Sequence, residues 1–126
     1  MLSNPAKAFK WECAREGGNH AALRTIHGEF NRLFGEDLLT AAGSQCYYAI
    51  CNDYTFGFCN RSSQERQEIA DQRNAAKDTD PFSGSSCGIT FGGAPDPYLS
   101  YIFSHMKDIE ICEGSCGLIK NDVRRC

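Results

Sequence analysis

The chain predicts an α+β domain, a small disulfide-stapled sandwich in which an antiparallel sheet packs with two or three helices. Three observations predict it. Eight cysteines spread over 126 residues are an even number with long separations, the mark of a bridged scaffold. Short aromatic or β-branched runs alternate in character, as half-buried strands do. Between them lie stretches with apolar residues three and four apart, as on one helix face. The length gives one domain over residues 1–126. It is long enough to bury a core that disulfides reinforce.

Residues 1–8 are polar and are expected to be flexible. Phe9-Lys10-Trp11-Glu12-Cys13 alternates, so Phe9, Trp11 and Cys13 should point inward from a strand. Gly17-Gly18 breaks the chain, and Asn19 is a good N-cap for a helix from His20 to Phe34. Leu23, Ile26, Phe30, Leu33 and Phe34 share its inner face, and Gly35 is placed to stop it. Glu36 to Ala42 suggests a further short turn of helix. Cys46–Cys51 and Tyr54–Cys59 read as two strands, with Asn52-Asp53 as the turn of a hairpin. Ser62 and Glu65 are spaced as a capping box for a polar second helix reaching Lys77. Asp78–Ser86 is a loop. Cys87–Phe91 is a strand. Asp96-Pro97 opens a third helix over Tyr98–Met106, with Leu99, Ile102, Phe103 and Met106 inward. Asp108–Cys112 and Cys116–Ile119 read as closing strands.

The cysteines are Cys13, Cys46, Cys51, Cys59, Cys87, Cys112, Cys116 and Cys126. Zinc is the rival reading, since Cys46-x4-Cys51 and Cys112-x3-Cys116 fit a ligand spacing. No Cys-x-x-Cys and no His pair accompanies them, however. A strand from Cys46 to Cys51 would also hold its two thiols apart. Four disulfides in a secreted, extracellular protein are therefore expected, with no metal and no cofactor. Eight cysteines allow on the order of a hundred pairings, and the sequence leaves them open. No run approaches the roughly 18 apolar residues of a membrane helix. Residues 1–10 lack an apolar leader core, so a secreted chain would be the mature form. The net charge of −3 and the lack of a basic stripe argue against nucleic acid.

Chemistry is weakly signalled, and no catalytic residue is assigned. His20, His27 and His105 fall on predicted helices and read as solvent-facing. Glu36-Asp37, Asp78/Asp80 and Asp108/Glu110 are carboxylate pairs that read as surface charge. There is no Gly-x-Ser-x-Gly elbow and no phosphate-binding loop. Asn60-Arg61-Ser62 is a sequon, so Asn60 is a candidate glycosylation site. Tyr47, Tyr48, Tyr54, Tyr98 and Tyr101 could supply a binding surface.

Phe9-Lys10-Trp11-Glu12-Cys13, a Gly-rich break and a helix together resemble the start of the smut-fungus killer-toxin-like domains. The order continues through Phe58-Cys59 and the segment from Ser62, so the resemblance spans Phe9 to Cys87. It implies a small α/β sandwich held by disulfides, of the kind found among cysteine-rich fungal effectors. The expected function is a secreted effector or toxin-like protein, a monomer that recognises a host protein, cell-wall component or receptor without covalent catalysis. The alternative is a small extracellular hydrolase using His20 or His105.

Overall fold

The structure, a computed structural model, describes residues 10–36, 38–90, 98–105, 114–116 and 119–126, with backbone alone at 114–116, 119 and 120. Helix α1 (His20–Phe34) forms where the sequence places it. The Asn19 side chain accepts the Ala22 N–H at 2.7 Å, satisfying one of the helix's unpaired donors. Gly35 ends the helix at φ 86° and ψ −170°, an extended positive-φ conformation that glycine adopts without a Cβ clash. Leu23, Ile26 and Phe30 are buried, while Leu33 and Phe34 pack at the margin of the core.

Nine strands are described: β1 (Glu12–Glu16), β2 (Thr40–Ala41), β3 (Cys46–Cys51), β4 (Tyr54–Asn60), β5 (Arg66–Gln67), β6 (Gly84–Thr90), β7 (Leu99–His105), β8 (Gly114–Cys116) and β9 (Ile119–Arg125). Seven form one sheet in the order β1-β6-β7-β4-β3-β9-β8, and β2 pairs with β5 in a ribbon. All the described pairings are antiparallel except β3 with β9. The β3–β4 hairpin turns at Asn52 and Asp53, with φ 53° and 70°. Tight hairpin turns need two positive φ values, and Asn and Asp accept them readily.

Alternation along the strands carries Ala49, Phe56, Phe58, Tyr101 and Phe103 into the core that contains the inner face of α1. Phe30 meets Phe56 edge-on at 5.3 Å, and Phe56 stacks with Tyr101 at 5.7 Å. Each such buried ring contributes roughly 1.5–3 kcal/mol relative to an exposed one.

Several expectations are corrected. The third helix is strand β7. Leu99, Ile102 and Phe103 fit a helical spacing, but Leu99, Tyr101 and Phe103 equally fit alternation, and pairing with both β4 and β6 decides for a strand. The second helix is shorter, α2 (Gln72–Asp78). Ser62 does not start a helix, because its hydroxyl bonds to Asn60 and to the Gln64 carbonyl. The turn of helix expected before Ala42 is replaced by β2, held against β5. Strand β1 starts later than expected and lies exposed at the sheet edge, with Trp11 buried just before it. Phe9, Asp37, Pro97, Met106 and Asp108–Cys112 lie outside the described residues.

Three disulfides are described. Cys13–Cys87 joins edge strand β1 to β6, Cys46–Cys59 crosses the hairpin, and Cys51–Cys126 ties the last residue to the end of β3. Cys46 and Cys51 thus have separate partners. Closing loops of 74, 13 and 75 residues restricts the unfolded chain, by about 3 kcal/mol for the short loop and about 4 for each long one. Cys112 lies outside the described residues, and Cys116 is described by its backbone alone.

Candidate functional site

The turn entering β6 lies against the N-terminal end of α1, and both are pinned. The Phe82 N–H donates to the Asp80 carboxylate at 2.7 Å, and the Gly84 N–H donates to the Pro81 carbonyl at 2.9 Å. The Gly17 and Gly18 N–H groups both donate to the Ser83 carbonyl, at 2.9 and 3.2 Å. Gly18 is packed so tightly that a Cβ there would sit 2.1 Å from the Gly84 carbonyl oxygen. The turn therefore has little freedom. At its apex Phe82 is 77% exposed with φ 57°. A bulky residue in the left-handed region is uncommon and costs on the order of 1 kcal/mol.

Beside this turn runs a cleft of about 180 Å³ lined by Ala22, Thr25, Ile26, Glu29, Cys51, Asn52 and Tyr54. It lies between one flank of α1 and the hairpin turn. The Tyr54 hydroxyl on its rim donates to the Gly17 carbonyl at 3.3 Å. Gly17 also bonds to Ser83, so a hydrogen-bonded link runs from the rim of the cleft to the turn. The Arg32 guanidinium bonds to Glu29 at 2.6 Å and reaches the Cys126 sulfur at 3.4 Å. Glu29, Cys51 and Cys126 come close together, but both sulfurs are bonded to each other and offer no thiolate to a metal.

A second, polar depression of about 280 Å³ lies at the end of β4, lined by Arg61, Ser62, Ser63, Gln64, Arg66 and Tyr98. Arg66 stacks over the Tyr98 ring at 4.6 Å. Arg61 bonds through Nε to Ser100 at 2.9 Å.

The histidines do not converge on a common centre. His20 bonds through Nε2 to the Lys77 carbonyl at 2.8 Å and has Nδ1 at 3.8 Å from Asp80. His105 stands edge-on to Tyr54 at 5.1 Å. The expectation that His27 faces solvent is corrected. It is 5% exposed, edge-on to Phe56, and its Nε2 has no partner. Burial, then the charges of Lys77 and Arg73, lower its pKa to about 4. Among the carboxylates, Asp78 pairs with Lys77 and Asp80 caps the Phe82 turn, while Asp37, Asp108 and Glu110 lie outside the described residues. Of the five tyrosines, Tyr98 is the exposed one; Tyr101 and Tyr48 are buried.

Asn60 is 1% exposed. Its Nδ2 donates to the carbonyls of Ala41, Ala42 and Gln64, and its Oδ1 accepts from the Ser62 N–H and hydroxyl.

Phe82 was not singled out from the sequence. The available signal was a lone aromatic in an Asp-Pro-Phe-Ser-Gly turn, where an apolar side chain has no core to enter. No known protein family, curated protein or solved structure matches the chain. The site is therefore read from its own geometry.

Proposed function

We propose that the protein is a secreted, toxin-like binding protein that recognises a host or competitor target by non-covalent contact. The killer-toxin-like sandwich, the fungal source and the effector role in virulence belong to the same reading. Phe82 carries it. An aromatic ring held out to solvent on a turn fixed by four hydrogen bonds to or within it loses little entropy on docking. Buried aromatic anchors of this kind dominate binding energy at interfaces. The apolar cleft between α1 and the hairpin turn offers a second contact, for a small side chain of the partner. The disulfides suit an oxidising compartment, and no described helix is long and apolar enough to cross a membrane.

A display selection tests this reading. Random peptide libraries panned on the folded, oxidised protein should enrich clones that bind Phe82→Ala at least tenfold more weakly. The same clones should also lose affinity for Thr25→Trp, which fills the cleft, and keep it for Lys10→Ala. Clones spread over the surface and indifferent to Phe82 would sink the proposal.

A further inference from the structure

Asn60, Arg61 and Ser62 form a sequon, yet the fold uses both of its functional side chains. The two Nδ2 protons serve three carbonyls, those of Ala41 and Ala42 at 3.1 Å each and of Gln64 at 2.7 Å. The Ser62 hydroxyl, which is needed in the acceptor motif, donates within the same cluster to Asn60 Oδ1 at 2.8 Å. It also accepts from the Gln64 N–H and from Arg66 Nε. These bonds join the end of β4 to the β2 side of the ribbon and to the loop before β5. The adjoining residue, Cys59, is bridged to Cys46, and the Asn60 N–H donates to the Gln45 carbonyl at 2.9 Å.

We infer that glycosylation of Asn60 and folding of this domain are mutually exclusive, so that the folded domain carries no glycan at this sequon. Transfer from a lipid pyrophosphate-linked oligosaccharide forms a bond from the sugar C1 to Nδ2. It breaks the C1–O bond to the pyrophosphate, which leaves with the lipid and the electron pair of that bond, and one Nδ2 proton passes to the solvent. A single N–H then remains where three carbonyls are served, and the glycan must occupy a position that is 1% exposed. The Ala41 bond is the buried one of the three, and a buried carbonyl stripped of its donor is costly to leave unmet. A chain that folds first hides Nδ2, and a chain modified first cannot close the β4–ribbon junction. The 13-residue Cys46–Cys59 loop is the most local of the three described bridges and so costs the least entropy to close.

The test uses the full chain, produced without glycan, and a purified oligosaccharyltransferase with its lipid-linked donor. The reduced, unfolded chain should accept the glycan, whereas the oxidised, folded chain should be modified at least tenfold more slowly. The modified chain, taken through oxidative refolding, should fail to recover the Cys46–Cys59 bridge and the native circular dichroism that the unmodified chain recovers in parallel. Transfer to the folded chain at the unfolded rate would overturn the inference. So would native refolding of the glycosylated chain. Refusal by the unfolded chain would also overturn it, since folding would then have nothing to compete with.

Discussion

Helix α1 is gripped from two sides by different chemistry. Towards the sheet, Leu23, Ile26 and Phe30 meet Phe56 and its neighbours in a mainly apolar contact, which His27 joins edge-on to Phe56. Towards α2 and the loop before it, the grip is polar. His20 bonds to the Lys77 carbonyl, and Asn31 and the Gly35 carbonyl accept from Arg73 at 2.7 and 2.6 Å. Arg73 is itself paired with Glu68, both almost fully buried. Glu68 also accepts the Leu38 and Leu39 N–H groups and the Tyr101 hydroxyl. The apolar side tolerates imperfect partners of similar volume. The polar side depends on every partner being present, because each charge is out of water.

The largest test of that contrast removes one half of the buried pair. Glu68→Ala should destabilise the fold by about 3–5 kcal/mol, because Arg73 is left charged and uncompensated. The double variant Glu68→Leu/Arg73→Met should lose less than either single change. Arg73→Met is the second single change, and chemical denaturation of the three variants checks this. Equal or additive losses would show that the two sides of α1 do not differ in kind.

How much of this was legible follows the same division. The apolar side was written as spacing: Asn19, the inner face of α1, Gly35 and the Asn52-Asp53 turn were all readable, because each is a local preference. Strand β7 was misread because Leu99, Tyr101, Ile102 and Phe103 satisfy two periods at once, and only its neighbours in the sheet choose. The stretch from Ser62 to Lys77 was read as a surface helix because charged residues default to solvent. Burying Glu68 and Arg73 depends on contacts about 30 to 40 residues away in sequence, and no local pattern encodes them. His27 was taken as exposed for the same reason, since α2 covers it from a distance in the chain. Phe82 was hidden by its own exposure, as an aromatic outside any periodic segment.

A smaller effect should appear on the polar side as acid sensitivity. In the fold His27 stays neutral down to about pH 4, against 6.5 ordinarily. Burial is the first cause, and the positive charges of Lys77 and Arg73 add to it, while Asn74 and Asp78 pull the other way. The unfolded chain therefore takes up a proton that the fold refuses. The contribution of neutral His27 is complete above about pH 6.5 and is lost as the pH falls to about 4. The loss is on the order of 3 kcal/mol over that window. Subtracting the profile of His27→Leu isolates it. A difference curve flat between pH 4 and 6.5 would mean that the polar side accommodates the imidazolium.

The smallest change in stability belongs to the surface that neither grip requires. Phe82 contributes no packing, being 77% exposed, and its φ of 57° favours glycine. Phe82→Gly removes the steric cost of the left-handed conformation and adds the entropy of a freer unfolded chain. The two nearly cancel, so stability should change by no more than about 0.5 kcal/mol. Thermal melting measures it, and peptide binding measures the other half of the argument. A residue retained for the fold would lose stability and binding together. One displayed for recognition loses binding while the melt stands still, and a melt lowered by several degrees would return Phe82 to the scaffold and leave the cleft without its neighbouring anchor.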